Sequence, residues 1–260
     1  MIDIHTHILP GMDDGAEDIY DSIDMAALAY ECGTTVIVAT PHCNIPGAFS
    51  NYYGKEYRDT FQRTKEILKH EVPGITLLAG MEVFTTESLP DLLTEGRIFP
   101  INRTRYVLME FDFGEDPDFA DYMLRRVKET NAKPVIAHAE RYEFVQDNPD
   151  MVYQWKRKGY EVQINKGSFM GRFGRHARQT AFELLDSNLV TAVASDAHSP
   201  IRRTTCLADA YDYLRQEYSR EYLDILFQTN PQRICNGLTP IQFRAIPPGE
   251  SYYRREREAE

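Results

Sequence analysis

Cysteine is scarce in this 260-residue chain: Cys32, Cys43, Cys206 and Cys235 lie far apart and form no CxxC pair. Such scatter argues against a disulfide scaffold and against a thiolate zinc site. Positive charge is also short. The 29 Lys and Arg face 40 Asp and Glu, for a net charge of −11. Nonspecific binding to nucleic acid or to an anionic membrane therefore lacks the field it needs. No apolar run approaches the roughly 18–20 residues that span a bilayer, which excludes membrane insertion by a helix. The opening Met1-Ile2-Asp3-Ile4-His5 carries no basic-then-apolar export leader, so a cytoplasmic location is the expectation. Repeats of fixed period and low-complexity linkers are absent too, which predicts a single domain over residues 1–245. Residues 246–260, including PPGESYYRREREAE, read as a charged tail, either solvated or a contact arm in a homo-oligomer.

What is present is one recurring event. A short apolar run, rich in β-branched residues, ends in a residue able to bind a metal or move a proton. The runs are Ile2–His5, Thr35–His42, Ile75–Glu82, Tyr106–Glu110, Pro134–His138, Glu161–Asn165 and Thr191–Asp196. Helix-compatible stretches lie between them: Asp18–Glu31 with a Cys32-Gly33 stop, Phe119–Thr130, Met151–Lys158, Ala177–Ser187 and Arg203–Gln216. Buried runs alternating with helices predict an α/β fold of parallel strands joined by helical crossovers. Seven runs favour a barrel over an open sheet, with the C-terminal strand ends converging on one face. The segment Asn44–Tyr57, with Pro, Gly and three tyrosines, reads as a loop over the mouth of that face.

The chemistry-bearing residues sit where that face would be. In Asp3-Ile4-His5-Thr6-His7, strand alternation puts both imidazoles on one side, able to grip one ion. An isolated HxH is as often a pair of ordinary surface histidines. Here, however, five of the seven histidines (His5, His7, His42, His138 and His198) fall at or just past run ends, and only His70 and His176 do not. Ser195-Asp196-Ala197-His198 repeats the two-apart spacing, with helix capping by Asp196 as the competing role. Glu82 and Glu110 each close an apolar run, where a buried carboxylate needs a cationic partner. Asp13-Asp14-Gly15 is either a plain turn or a further ligand. All these donors are N or O atoms, which suits Mn²⁺, Fe or Zn²⁺. Arg141 and Arg203 stand beside the presumptive ligands and could fork onto phosphate oxygens, with Arg202 competing for the second place.

Taken in order, DIHTH, TPH, GME, the Glu of LMEF, HAERY and SDAH resemble the PHP (polymerase and histidinol phosphatase) superfamily. GMDDGA and HAERY are similar to its bacterial metal-dependent protein-tyrosine phosphatases, associated with capsular and extracellular polysaccharide biosynthesis. The resemblance runs from Met1 to about residue 240. It implies a distorted (β/α)7 barrel with three divalent metal ions, Mn²⁺ first. One would be held by His5, His7, Glu82 and Asp196, a second by Glu82, Glu110 and His138, and a third by Asp14, His42 and His198. Arg141 and Arg203 would bind phosphate. A metal-bound hydroxide would attack phosphorus, with Asp196 or His198 assisting proton transfer. The implied partner is a phosphotyrosine-bearing bacterial tyrosine autokinase. Cys43 departs from the resemblance, since many relatives place a second histidine after TPH.

Three other readings compete. A cysteine-dependent phosphatase would need an arginine six residues after Cys43, where Phe49 stands. A histidinol-phosphate phosphatase shares the scaffold, but Asp14, Glu110 and HAERY speak against it. The non-enzymatic reading is a metal-stabilised protein that docks a tyrosine-rich partner.

Overall fold

The computed structural model describes residues 1–249. The expected charged tail therefore lies, from residue 250 on, outside the described residues. Each of the seven apolar runs contains strand. Two of them split at a Pro or Gly, which gives nine strands: β1 (Ile2–Thr6), β2 (Val36–Ala39), β3 (His42–Cys43), β4 (Thr76–Ala79), β5 (Glu82–Phe84), β6 (Tyr106–Glu110), β7 (Lys133–Ile136), β8 (Glu161–Asn165) and β9 (Ala192–Ala194). Pro41, which has no N–H to give a ladder, separates β2 from β3, and Gly80 separates β4 from β5. A Cβ on Gly80 would come within 2.9 Å of the Val38 side chain, so the chain bends there at close quarters.

The strands form two parallel sheets, ordered β1-β2-β4 and β3-β5-β6-β7-β8-β9. The sheet curls round so that its far edge meets its start. Thr6 and Ala197 make a parallel bridge, His7 N–H donates to Ala197 O at 2.9 Å, and Asp196 N–H donates to His5 O at 2.9 Å.

Both faces of the strands are buried, and the alternation sorts their side chains into two layers. Val107, Met109, Ile136 and Val193 pack outward with helix residues such as Met25, Leu124, Val152 and Leu184. Tyr106, Leu108, Val135, Ala192 and Ala194 pack inward with Ile2, Ile4 and Val38. This inner row is what carries function upward: Tyr106-Leu108-Glu110 and Glu161-Gln163-Asn165 each share one side of their strand.

Helix α1 (Ile19–Glu31) matches its expectation. The Asp18 side chain caps it by accepting from Tyr20 and Asp21 N–H groups, and it buries Ser22, Met25, Ala26 and Ala29 at helical spacing. Helix α2 (Lys55–Glu71) was not expected, and its first turn takes Lys55–Tyr57 out of the expected loop. Tyr57, Thr64 and Leu68 are buried along it and Phe61 packs partly against the core, a stripe at helical spacing set in a mostly charged stretch. The expected helix Arg203–Gln216 is confined to Ala208–Leu214. Arg203 instead closes a turn, its carbonyl accepting from His198 N–H, and Lys166 Nζ holds the Cys206 carbonyl.

The cysteine expectation needs correction. Cys32, at the end of α1, is disulfide-bonded to Cys206, with Cα atoms 5.3 Å apart and 174 positions between them in sequence. Long-range topology, invisible in spacing, brings the two together. Among the described residues, no helix is long and apolar enough to cross a membrane.

Candidate metal centre

The C-terminal strand ends bring all nine expected ligands into one cluster. Glu82, at the start of β5, sits at its middle. Its carboxylate oxygens lie 3.2 Å from His5 Nε2, 3.3 Å from His7 Nε2, 3.0 Å from His42 Nδ1 and 2.9 Å from His138 Nε2. Glu110 extends the inner row of β6 and reaches His42 at 3.4 Å and His138 at 3.5 Å. Asp196 faces His5, His7 and His198 at 3.4–3.5 Å. Asp14 stands at the open rim, 3.5 Å from both His42 and His198.

Potential ligand atoms fall into three groups, each within 4.8 Å: His7, Asp14, His42 and His198; His5, His7 and Asp196; His42, Glu82 and Glu110. His7 and His42 are thus shared between neighbouring groups, where the resemblance gave each histidine to a single ion.

Two of these residues rest on unusual backbone. His138 and Asp196 have φ of 32° and 50°, in the left-handed region that non-glycine residues seldom occupy. That turn takes His138 out of the strand and swings its ring back over Glu82. Gly15 is required for a different reason. A Cβ there would lie 2.2 Å from the His7 carbonyl oxygen, so only glycine lets the Asp13-Asp14 loop close on β1.

Buried donors and acceptors that meet without well-formed hydrogen bonds mark where cations fit. His42 Nδ1 lies 3.0 Å from Glu82 Oε2 and 3.4 Å from Glu110 Oε2, yet none of the three makes a hydrogen bond of good geometry. Without metal, protons take the countercharge role. Burial opposes charge on His42, but Glu82 and Glu110 outweigh it and hold the imidazolium up to about 10. Against the same burial penalty, Glu110 and Glu82 raise His138 to about 9. Burial also opposes charge on His7, and Asp13 outweighs it to hold this group well above its ordinary value. Burial would raise Glu82, yet His5 and His42 keep it well below the carboxylate range. His198 goes the other way: burial, then the neighbouring His7 charge, push it down to about 2.

A divalent ion binds bare imidazole nitrogen, so it must displace these protons. At pH 7, titration of the metal-free protein with Mn²⁺ is expected to release about two to three protons per chain. The folded pKa values of His42 and His138 lie above the unfolded value. The stability they contribute without metal is therefore full below about pH 6.5 and is lost as pH rises through 9–10. Metal affinity follows the opposite course and climbs over that range. Calorimetry in two buffers of different ionisation enthalpy measures the release, and a net value of zero would contradict this proton inventory.

Both arginines face the site. Arg203 pairs with Asp196, and Arg141 Nη1 lies 3.4 Å from the same Oδ2 atom. The Arg141 guanidinium is stacked between Phe113 at 4.4 Å and Phe173 at 4.1 Å, and Phe173 also reaches Arg203 at 5.6 Å. Arg202 is exposed, and its carbonyl accepts from Arg172. Cys43 is buried, donates to Ser50 O, and has its thiol pushed by burial up to about 12. It is no nucleophile. The Asn44–Gly54 part of the expected loop does cover the mouth: Phe49 stacks on His42 at 5.9 Å, and Asn51 donates to His42 O at 2.8 Å.

Sequence reasoning missed the residues that orient the ligands. Asp13 accepts from His7 Nδ1 at 2.7 Å and from His42 N–H at 2.8 Å. Gln163 Oε1 meets His5 Nδ1 at 3.0 Å and accepts from His138 N–H at 3.1 Å. The Asn165 amide donates to Asp196, and buried Glu140 takes the Asn165 N–H at 2.9 Å. Such partners fix imidazole tautomer and ring orientation. The available signal was two amides, with Glu161, alternating with Val162 and Ile164 on a buried strand, since buried amides demand partners.

Residues 1–236 match the family described as Capsular polysaccharide synthesis, CpsB/CapC. The chain is 36% identical over 239 residues to the tyrosine-protein phosphatase YwqE of Bacillus subtilis (strain 168), covering 92% of this chain and 93% of that one. It is 30% identical to the tyrosine-protein phosphatase CpsB of Streptococcus pneumoniae, over 90% of this chain and 98% of the relative. The fold superposes with a TM-score of 0.88, at 33% identity and covering 95% of this chain and 99% of the other, on a structure from work on YwqE and CpsB as unique metal-dependent tyrosine phosphatases. A looser likeness of fold alone, with a TM-score of 0.53 at 13% identity over 90% and 92% of the two chains, joins it to an organophosphorus hydrolase from Deinococcus radiodurans. By its matched length and its relatives, the chain is a member of the CpsB/CapC family of capsular polysaccharide synthesis.

Proposed function

We propose that this chain is a metal-dependent protein-tyrosine phosphatase, and that its seven runs make up a distorted (β/α)7 barrel closed by the Thr6–Ala197 bridge. Three divalent ions, Mn²⁺ first and Fe or Zn²⁺ as alternatives, would be held by His5, His7, Asp14, His42, Glu82, Glu110, His138, Asp196 and His198. The observation that carries the reading is the convergence of Arg141 and Arg203 on Asp196, at the edge of a cluster with N and O donors. Two guanidinium forks at a cation-binding carboxylate suit a dianionic phosphoryl group.

When bound, the ions lower the pKa of an attacking water and offset charge on the phosphoryl oxygens. The chain's own groups do the rest. Arg141, held flat by Phe113 and Phe173, and Arg203 turn their forks from Asp196 to the phosphate oxygens. Asp13 and Gln163 hold His7 and His5 in register. In the metal-free protein burial and the His7 charge keep His198 uncharged, so it can take up a proton only once His7 has given up its own, while the carboxylate of Asp196 is held ionised. Both are candidates to assist proton transfer. The substrate in this reading is phosphotyrosine on a bacterial tyrosine autokinase of the polysaccharide machinery.

Phosphate release from a phosphotyrosine peptide is expected with Mn²⁺ and is expected to vanish with EDTA. Histidinol phosphate and a phosphoserine peptide should turn over far more slowly. Full activity in chelator would end the metal reading. Preference for histidinol phosphate would keep the centre and change the substrate. A phosphopeptide bound tightly but left intact would favour the docking protein.

A further inference from the structure

The inward rows that end at the metal centre also have a lower end. The row ending in Glu110 starts at Tyr106, and the row ending in Asn165 starts at Glu161. Four strand steps separate each pair, about 13 Å. Beside those starting residues opens a cavity of about 520 Å³, within the range of small-molecule pockets.

Its charge is out of keeping with a chain of net charge −11. Arg105, Lys128, Lys133, Lys156 and Arg157 line it, against a single carboxylate, Glu161. Lys156 neutralises that carboxylate at 2.8 Å, and Gln242 donates to both of its oxygens at 3.1 Å. The other four cations have no carboxylate partner among the described residues. Arg105 donates to the Asn131 side-chain oxygen at 2.6 Å and Lys128 to the Lys158 carbonyl at 2.6 Å. Lys133 reaches the Tyr106 hydroxyl at 3.3 Å and lies 4.8 Å from the centre of that ring, with Glu161 as the opposing charge that acts on it, and Arg157 lies near the Tyr153 ring at 5.9 Å. Burial, with Arg105 alongside, pulls the Lys133 ammonium below its ordinary pKa. Between these cations the wall is apolar, formed by Ala132, Pro134, Phe243 and Ala245.

We infer that this cavity is a binding site for a small phosphorylated molecule with an apolar or planar body, of the nucleoside di- or triphosphate class. Four cations with no carboxylate ion-pair partner among the described residues call for more than one anionic charge, which a diphosphate supplies and a simple carboxylate does not. The apolar wall between them suits a ring, and the volume admits one with its phosphates. The site lies at the far end of the strands from the metal cluster, so its occupant need not meet the reacting phosphate.

The test is calorimetric titration of the whole chain, kept in EDTA, with ADP, with pyrophosphate and with adenosine. ADP is expected to bind more tightly than either of its parts. Lys133→Glu and Arg105→Glu are each expected to weaken ADP by roughly tenfold or more. Lys133→Gln, milder toward the fold, should give a smaller loss in the same direction, and Arg141→Ala should give none. No binding of ADP at millimolar concentration would overturn the inference. So would adenosine binding as well as ADP, or a loss on Arg141→Ala with none on Lys133→Glu, which would assign the binding to the metal centre.

Discussion

Glu82→Ala is expected to lower kcat/KM by about a thousandfold and to strip the protein of bound metal in the same step. The reason is geometric. One carboxylate stands within 3.3 Å of four imidazoles from β1, β3 and the turn after β7. In the metal-free protein it is the main countercharge to His42, and it also supports the charge on His138. Without it those pKa values fall, and the remaining imidazoles face one another across an emptied space. In the proposed metal-loaded protein it would be a ligand beside His42 and Glu110. Metal analysis alongside phosphate release checks both halves. Wild-type metal content with wild-type turnover would show that Glu82 is only a structural anion.

Asp196→Asn is expected to cost about a hundredfold or more in kcat/KM while leaving the fold intact. Asparagine has nearly the same shape and tolerates the left-handed backbone that this position adopts, so the turn should survive. What goes is the charge. Burial works against an ionised Asp196, yet His5, His7 and Arg203 together hold its carboxyl well below the ordinary range. A neutral amide is a weaker cation ligand, and it cannot ion-pair with Arg141 and Arg203 over the site. The melting temperature and circular dichroism of the variant should stay near wild type, with reduced metal content. A variant that unfolds would mean that the carboxylate serves the fold first. Full activity would remove Asp196 from the site altogether.

Much of this centre was legible in the sequence because parallel strands end where their chemistry begins. A run such as Tyr106–Glu110 announces both its burial and the odd carboxylate that closes it. That rule singled out His5, His42, His138 and Asp196, which the structure brings together, but not the backbone turns that aim His138 and Asp196. The sharing of His7 and His42 between groups depends on distances that no spacing encodes. Arg203 could be separated from Arg202 only once the Ser199–Arg203 turn was seen. The two split strands read as single runs because Thr40-Pro41 and Gly80-Met81 interrupt hydrogen bonding without interrupting the apolar pattern. Helix α2 escaped for another reason: its stripe of Tyr57, Phe61, Thr64 and Leu68 is spaced like a helix face but diluted by the charges around it. The Lys133 cavity was invisible as well, since its cations come from separate segments that meet only where three strands start.

The bond between Cys32 and Cys206 makes the chain a hoop. Everything between those two residues, including His42, Glu82, Glu110, His138, Asp196 and His198, lies on the closed circuit, while His5, His7 and Asp14 sit on the short end leading into it. A single backbone cut anywhere on the circuit frees no fragment. It turns the hoop into one branched but continuous molecule, with every strand still covalently attached to every other. Only a second cut, or reduction of the bond, allows pieces to part.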